Sequence, residues 1–171
     1  MKRPFLNTCV LLVMMLGSMF GQQDAALRVD LRFDRPTYSL KGEAVIEVLL
    51  TNASRHPIYV YSDLAWGESA SLSIWFKDAA TGKDVSETFI PDSIMPPPTS
   101  KDDFVKILPE HVYGVFIRSS VTHLNIQRKG TYEVVAYYHS PVPRSYAFGL
   151  PIWSREDGAI ESNRATIKVE D

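Results

Sequence analysis

The sequence predicts an all-β protein: one antiparallel β-sandwich of about seven to nine strands, residues 27–170, behind a leader at residues 1–21. Three observations carry this expectation. Apolar and polar residues alternate with a period of two from residue 27 onward, and turn-forming residues punctuate the alternation. No segment sustains a 3.6-residue apolar period over about three turns. The composition agrees, with 45% apolar, 22% charged and 11% aromatic residues, which is globular and too apolar for a disordered chain.

The leader is read first. Lys2 and Arg3 give a positive start, CVLLVMML from Cys9 to Leu16 an apolar core, and Gly17-Ser18 a small-residue interruption before Met19-Phe20. That is the pattern of a secretory signal, and the run falls short of the ~20 apolar residues that span a bilayer. Cleavage is expected after Gly21, with Ala25 and Ala26 as alternative sites, giving a secreted or periplasmic protein with no membrane span after processing. Cys9 precedes the end of the apolar core and so is misplaced for lipidation. It is the only cysteine, so the processed chain has no disulfide, thiol nucleophile or cysteine zinc site.

Leu27, Val29, Leu31 and Phe33 alternate with Arg28, Asp30 and Arg32, a half-buried strand, and Pro36 to Gly42 mark a turn. Glu43 to Thr51 (EAVIEVLLT) reads as a strand buried on both faces. Asn52 to Pro57 is a turn cluster containing the glycosylation sequon Asn52-Ala53-Ser54, and Ile58 to Tyr61 (IYVY) is extended again. Leu72, Ile74 and Phe76 alternate with Ser71, Ser73 and Lys77. A loop at 78–82 then leads into Lys83 to Ile90 as the returning arm of a hairpin. Further strands are expected at 104–108, 112–119, 131–139 and 164–170. Residues 91–103, with Pro91 and Pro96-Pro97-Pro98, favour extended polyproline structure. Residues 140–163, with Pro141, Pro143 and Pro151, form a second long loop, a class that often carries function.

Lys129-Gly130-Thr131-Tyr132-Glu133-Val134 resembles the tyrosine corner of immunoglobulin-like domains. There a tyrosine begins a late strand, its hydroxyl serving the corner backbone and its ring the core. Val134 stands where antibody domains have a cysteine. With Tyr38-Ser39-Leu40-Lys41-Gly42-Glu43 leading into a strand, Leu50-Thr51-Asn52 ending it and Ser162-Asn163 before the last, the arrangement resembles bacterial exported immunoglobulin-like domains. It is distantly similar to BsuPI-type proteinase inhibitor domains and to the non-catalytic β-domains of secreted metalloproteases. The resemblance implies fold, and no reactive-loop residue of the inhibitors is matched.

Removing Lys2 and Arg3, and no acid, with the leader takes the formal charge from −2 to −4. That leaves no basic footprint for nucleic acid. His56, His111, His123 and His139 form no metal-ligand spacing, Gly67-Glu68-Ser69 lacks the second glycine of a nucleophile elbow, and no glycine-rich phosphate loop occurs. The chain is therefore expected not to be an enzyme and to carry no cofactor or metal. Loop aromatics are the candidate binding residues: Trp66 in Ala65-Trp66-Gly67, and Tyr146, Phe148 and Trp153 in the late loop. Trp75, between Ile74 and Phe76, is assigned to core or sheet-face packing. The expected function is a non-catalytic binding or accessory protein that recognises another exported protein, an extracellular protease among the candidates, through the 91–103 and 140–163 loops. The alternative is a carbohydrate-binding module in which Trp66 and Trp153 stack on a glycan.

Overall fold

Period-two burial dominates the described chain. Leu27, Val29 and Leu31 are buried along the first strand, β1 (Leu27–Phe33), as are Tyr132, Val134, Ala136 and Tyr138 along the strand Gly130–Tyr138, while their neighbours face outward. In this computed structural model residues 26–67, 70–85 and 96–171 are described. The expected leader at 1–21, Glu68-Ser69, the hairpin arm at 86–90 and the 91–95 part of the proline-rich loop lie outside the described residues.

The remaining strands are β2 (Thr37–Ser39), β3 (Glu43–Asn52), β4 (Ile58–Tyr61), β5 (Leu72–Asp78) and β6 (Phe104–Ile107). β7 (Val112–Ser120), β8 (Gly130–Tyr138), β9 (Ile160–Glu161) and β10 (Ala165–Glu170) complete them. One sheet has the order β1-β3-β7; the other has the order β2-β10-β8-β5, with β9 also paired to β8; β4 and β6 form a separate ladder. The fold is an all-β sandwich with ten strands among the described residues, and its only regular helical pieces there are three-residue turns. Among these ten strands every strand-to-strand ladder is antiparallel except β2 with β10.

The parallel pair follows from the break after β1. Pro36 brings no N–H to a ladder, and the chain crosses from the first sheet to the second, where Lys168 N–H donates to the Pro36 carbonyl at 2.8 Å. Tyr38 anchors the crossing: its ring is buried and its hydroxyl donates to Asp34 Oδ1 at 2.5 Å. That bond is the chief reason the Asp34 carboxyl titrates below its ordinary range, while burial first and the carboxylate second push the Tyr38 hydroxyl up to about 12.

Three side chains tie the layers together. Tyr132, 2% exposed, donates from its hydroxyl to the Arg128 carbonyl four residues back at 2.7 Å while its ring joins the core, the geometry of a tyrosine corner. Asn163 acts as a substitute strand residue, accepting from Leu31 N–H at 2.7 Å and donating to Leu31 O at 3.0 Å. Asn52 is wholly buried and donates to the His56 and Ile107 carbonyls, both at 2.8 Å. The apparent sequon is thus a structural asparagine in the folded chain. β3 also departs from expectation. Ala44, Ile46, Val48 and Leu50 are buried, but Val45, Glu47 and Leu49 are only half-buried, because that face of the sheet carries no further layer of described chain.

Candidate functional site

The two long loops singled out in the sequence meet on the β4–β6 ladder. Tyr59 N–H donates to Pro151 O at 3.1 Å and Trp153 N–H to Tyr59 O at 2.8 Å, so residues 151–153 run alongside β4 as a parallel bridge. From the other side Tyr61 donates from its hydroxyl to Pro96 O at 2.9 Å, and Ser62 N–H donates to Asp103 O at 2.9 Å. Tyr61, Phe104, Val142, Ala147 and Ile152 close over these contacts as a second apolar cluster, separate from the main core.

Carboxylates fix each loop. In the first, Asp103 Oδ2 accepts from the N–H groups of Thr99 (2.6 Å) and Ser100 (3.0 Å) and from the Thr99 hydroxyl (3.1 Å). Those backbone donors, Thr99 first, hold Asp103 below the usual carboxylate range. In the second, Asp157 accepts from Ser154 N–H (2.8 Å), from Ser154 Oγ (2.6 Å) and from the Arg144 guanidinium (2.7 Å). Burial raises Asp157, but the Ser154 and Arg144 donors outweigh it and leave the group below its ordinary value. Arg144 N–H also reaches Glu156, Arg155 N–H reaches Val142 O at 2.8 Å, and the Arg155 guanidinium donates to Pro141 O. The stems 141–144 and 154–157 are therefore clamped together, leaving 145–150 as a fixed tip.

Two of the four candidate aromatics stand on that tip. Tyr146 is 52% exposed and Phe148 41% exposed. Phe148 has a φ of +52°, followed by Gly149 at +77°. For a non-glycine aromatic this left-handed conformation costs about 1–2 kcal/mol, so the surroundings must hold it there. One such contact is Phe104, whose ring meets Phe148 edge-on with centroids 6.5 Å apart, and Phe104 in turn meets Tyr61 at 6.0 Å. The result is an aromatic staircase from the second core to the loop surface.

The other two candidates are placed differently. Trp66 and Trp153 are only partly exposed and pack against the main core. Ala65-Trp66-Gly67 pairs back onto the start of β5, through Leu72 N–H to Ala65 O at 2.9 Å and Gly67 N–H to Leu72 O at 3.0 Å. Trp153 donates from Nε1 to the Gly158 carbonyl at 3.2 Å. Both indoles are thus half-buried in contacts that seat their loops. Trp75 goes the other way. It lies on the outer face of β5, 45% exposed, opposite Val135. The signal was in the sequence, because a strand that buries Leu72, Ile74 and Phe76 must turn Ser73, Trp75 and Lys77 outward.

His56, His111 and His123 are exposed, and His139 is half-buried with Nε2 3.4 Å from the Ser73 hydroxyl. Burial lowers the His139 pKa. Among the described residues no three histidine, cysteine, aspartate or glutamate side chains converge as metal ligands. No helix among them is long and apolar enough to cross a membrane.

No protein-family model matches the chain, and no curated protein is similar to it. Among solved structures it is similar to a β-glucosidase from Erythrobacter marinus, at 10% identity and a TM-score of 0.39 over 84% of this chain. The match spans 15% of that protein's length. The expectation that the chain is not an enzyme is withdrawn beside this finding, the solved structure being that of an enzyme. A likeness at this level assigns the chain no activity of its own.

Proposed function

We propose that this chain is an exported binding protein that recognises another protein through its 96–103 and 140–158 loops, with Tyr146 and Phe148 as the contact residues. The observation that carries the reading is the loop tip. It holds two large aromatic side chains half out in water on clamped stems, one of them at a left-handed backbone position. Holding such groups still before a partner arrives reduces the ordering cost of association, and buried aromatic anchors supply most of the energy in protein interfaces. Backbone strain concentrates at functional sites. The distant similarity to proteinase inhibitor domains makes an extracellular protease the first partner to assay.

The test is affinity capture from the host's exported fraction, with the protein and a Tyr146→Ala/Phe148→Ala form as parallel baits. A partner held by the first and lost by the second supports loop recognition. Equal capture by both excludes the tip as the contact. The glycan reading built on Trp66 and Trp153 has no such support, because both rings are occupied in packing.

A further inference from the structure

The outer face of the β5-β8-β10 sheet holds a groove that the loop reading does not use. Parity creates it. Trp75 and Lys77 of β5 and Glu133, Val135 and Tyr137 of β8 all point away from the core, in the register Trp75 opposite Val135 and Lys77 opposite Glu133. Arg164, at the start of the β10 segment, closes one side and Asp84 another, around a volume of about 400 Å³. That lies within the ~300–1,000 Å³ range of small-ligand sites.

We propose that this groove binds a neutral pyranose chain, with the Trp75 ring as its floor. The chemistry of the walls selects the ligand. The apolar part is one exposed indole beside Val135 and the Tyr137 ring, a surface suited to the C–H face of a sugar ring. The charged part is balanced: Lys77 and Arg164 against Asp84 and Glu133. A polyanion would meet two carboxylates and a polycation two bases, whereas sugar hydroxyls donate to the first and accept from the second. The groove's ion pairs are long and exposed, Lys77 to Asp84 at 4.0 Å and Arg164 to Glu161 at 3.5 Å. Pairs of this kind contribute only ~0–1 kcal/mol, so exchanging them for hydroxyl contacts costs little. An added peptide strand is disfavoured, because the edge of β5 is already occupied by Lys83 to Val85, through Asp78 N–H to Lys83 O at 2.9 Å and Val85 N–H to Phe76 O at 2.8 Å.

The experiment is isothermal titration of the protein with cellohexaose, xylohexaose, mannohexaose and chitohexaose. Trp75→Ala and Arg164→Ala serve as groove variants, Phe148→Ala as the control outside it, and thermal melts confirm that each variant folds. Saturable binding of at least one oligosaccharide is expected, weakened roughly tenfold or more by Trp75→Ala, severalfold by Arg164→Ala, and unchanged by Phe148→Ala. Absence of saturable heat from all four, or a loss of less than about tenfold in Trp75→Ala, overturns the proposal. Loss in Phe148→Ala would move the site to the loops and overturn it equally.

Discussion

Replacing Asn52 by alanine removes a side chain whose hydrogen-bonding capacity is fully used. Its Nδ2 donates to His56 O and Ile107 O, and its Oδ1 accepts from Ser54 N–H at 2.9 Å and Ser54 Oγ at 2.7 Å, which exhausts two donors and two lone pairs. The residue is 0% exposed and Ile107 is 2% exposed, so water cannot readily take over the Ile107 carbonyl. Counting about 1 kcal/mol for each of the two bonds that Nδ2 donates and ~1–3 kcal/mol for the stranded buried Ile107 carbonyl, and nothing for the Ser54 bonds that water can replace, we expect Asn52→Ala to cost about 3–5 kcal/mol. At ~2–4 °C per kcal/mol for a chain of this size, the midpoint should fall by roughly 10 °C. Asn52→Asp is the sharper variant, since it aims a carboxylate oxygen at two carbonyls and should be at least as damaging at neutral pH. Urea unfolding followed by tryptophan fluorescence, with the m-value as a check on two-state behaviour, measures both. A loss below about 1 kcal/mol for the alanine variant, or wild-type stability for the aspartate, would refute the claim that this amide joins β3 to the β4–β6 ladder.

Other outcomes follow from the same geometry. The buried Tyr138 hydroxyl makes no well-formed hydrogen bond among the described residues, its one polar neighbour there being the Ser140 side chain, and burial pushes it above the usual tyrosine range against the smaller opposing effect of Ser140. Tyr138→Phe should therefore be neutral or stabilising by up to ~2 kcal/mol in chemical denaturation, and a loss above ~1 kcal/mol would show an overlooked partner. A Cβ at Gly114 would sit 2.5 Å from the Val48 carbonyl oxygen and 2.6 Å from Leu49 Cδ2. Gly114→Ala must shift the β3–β7 ladder, at an expected cost of ~1–3 kcal/mol read from the melting curve. Asp103 and Asp157 titrate below their ordinary 3.8, so the loop stabilisation they provide is complete above that pH and lost as the pH falls through their lower folded-state values. In an NMR titration from about pH 5 to pH 2, amides of 96–103 and 141–158 should shift before those of β3 and β8, whereas a single simultaneous transition would contradict the loop clamps.

Strand parity made most of the sandwich readable. β1, β5, β8 and β10 each show their inward set in the sequence, and Tyr132 declares the corner that its hydroxyl then forms with Arg128. The same parity turns Trp75 outward, so the groove it floors was within reach of the sequence. A tryptophan between Ile74 and Phe76 invites assignment by neighbours when alternation should decide. What local pattern does not carry is non-local closure. The fate of Trp66 depends on pairing back to Leu72, and that of Trp153 on Tyr59 and Gly158, so loop composition suggested exposure where packing prevails. The meeting of the two loops likewise depends on β4 pairing with β6 across a long stretch of chain. Asn52 was recognisable as a turn residue, but its burial depends on Ile107, which no local motif specifies.

Site-specific photo-crosslinking distinguishes the loop tip from every other surface. A benzophenone amino acid would be placed at position 146 on the tip and, in a second protein, at position 116, where Phe116 is exposed on the outer face of β7. Both would be irradiated in the host's exported fraction. Loop recognition predicts a discrete crosslinked partner from position 146 that is absent from position 116. A partner captured from 116 alone, or from neither position, would contradict it.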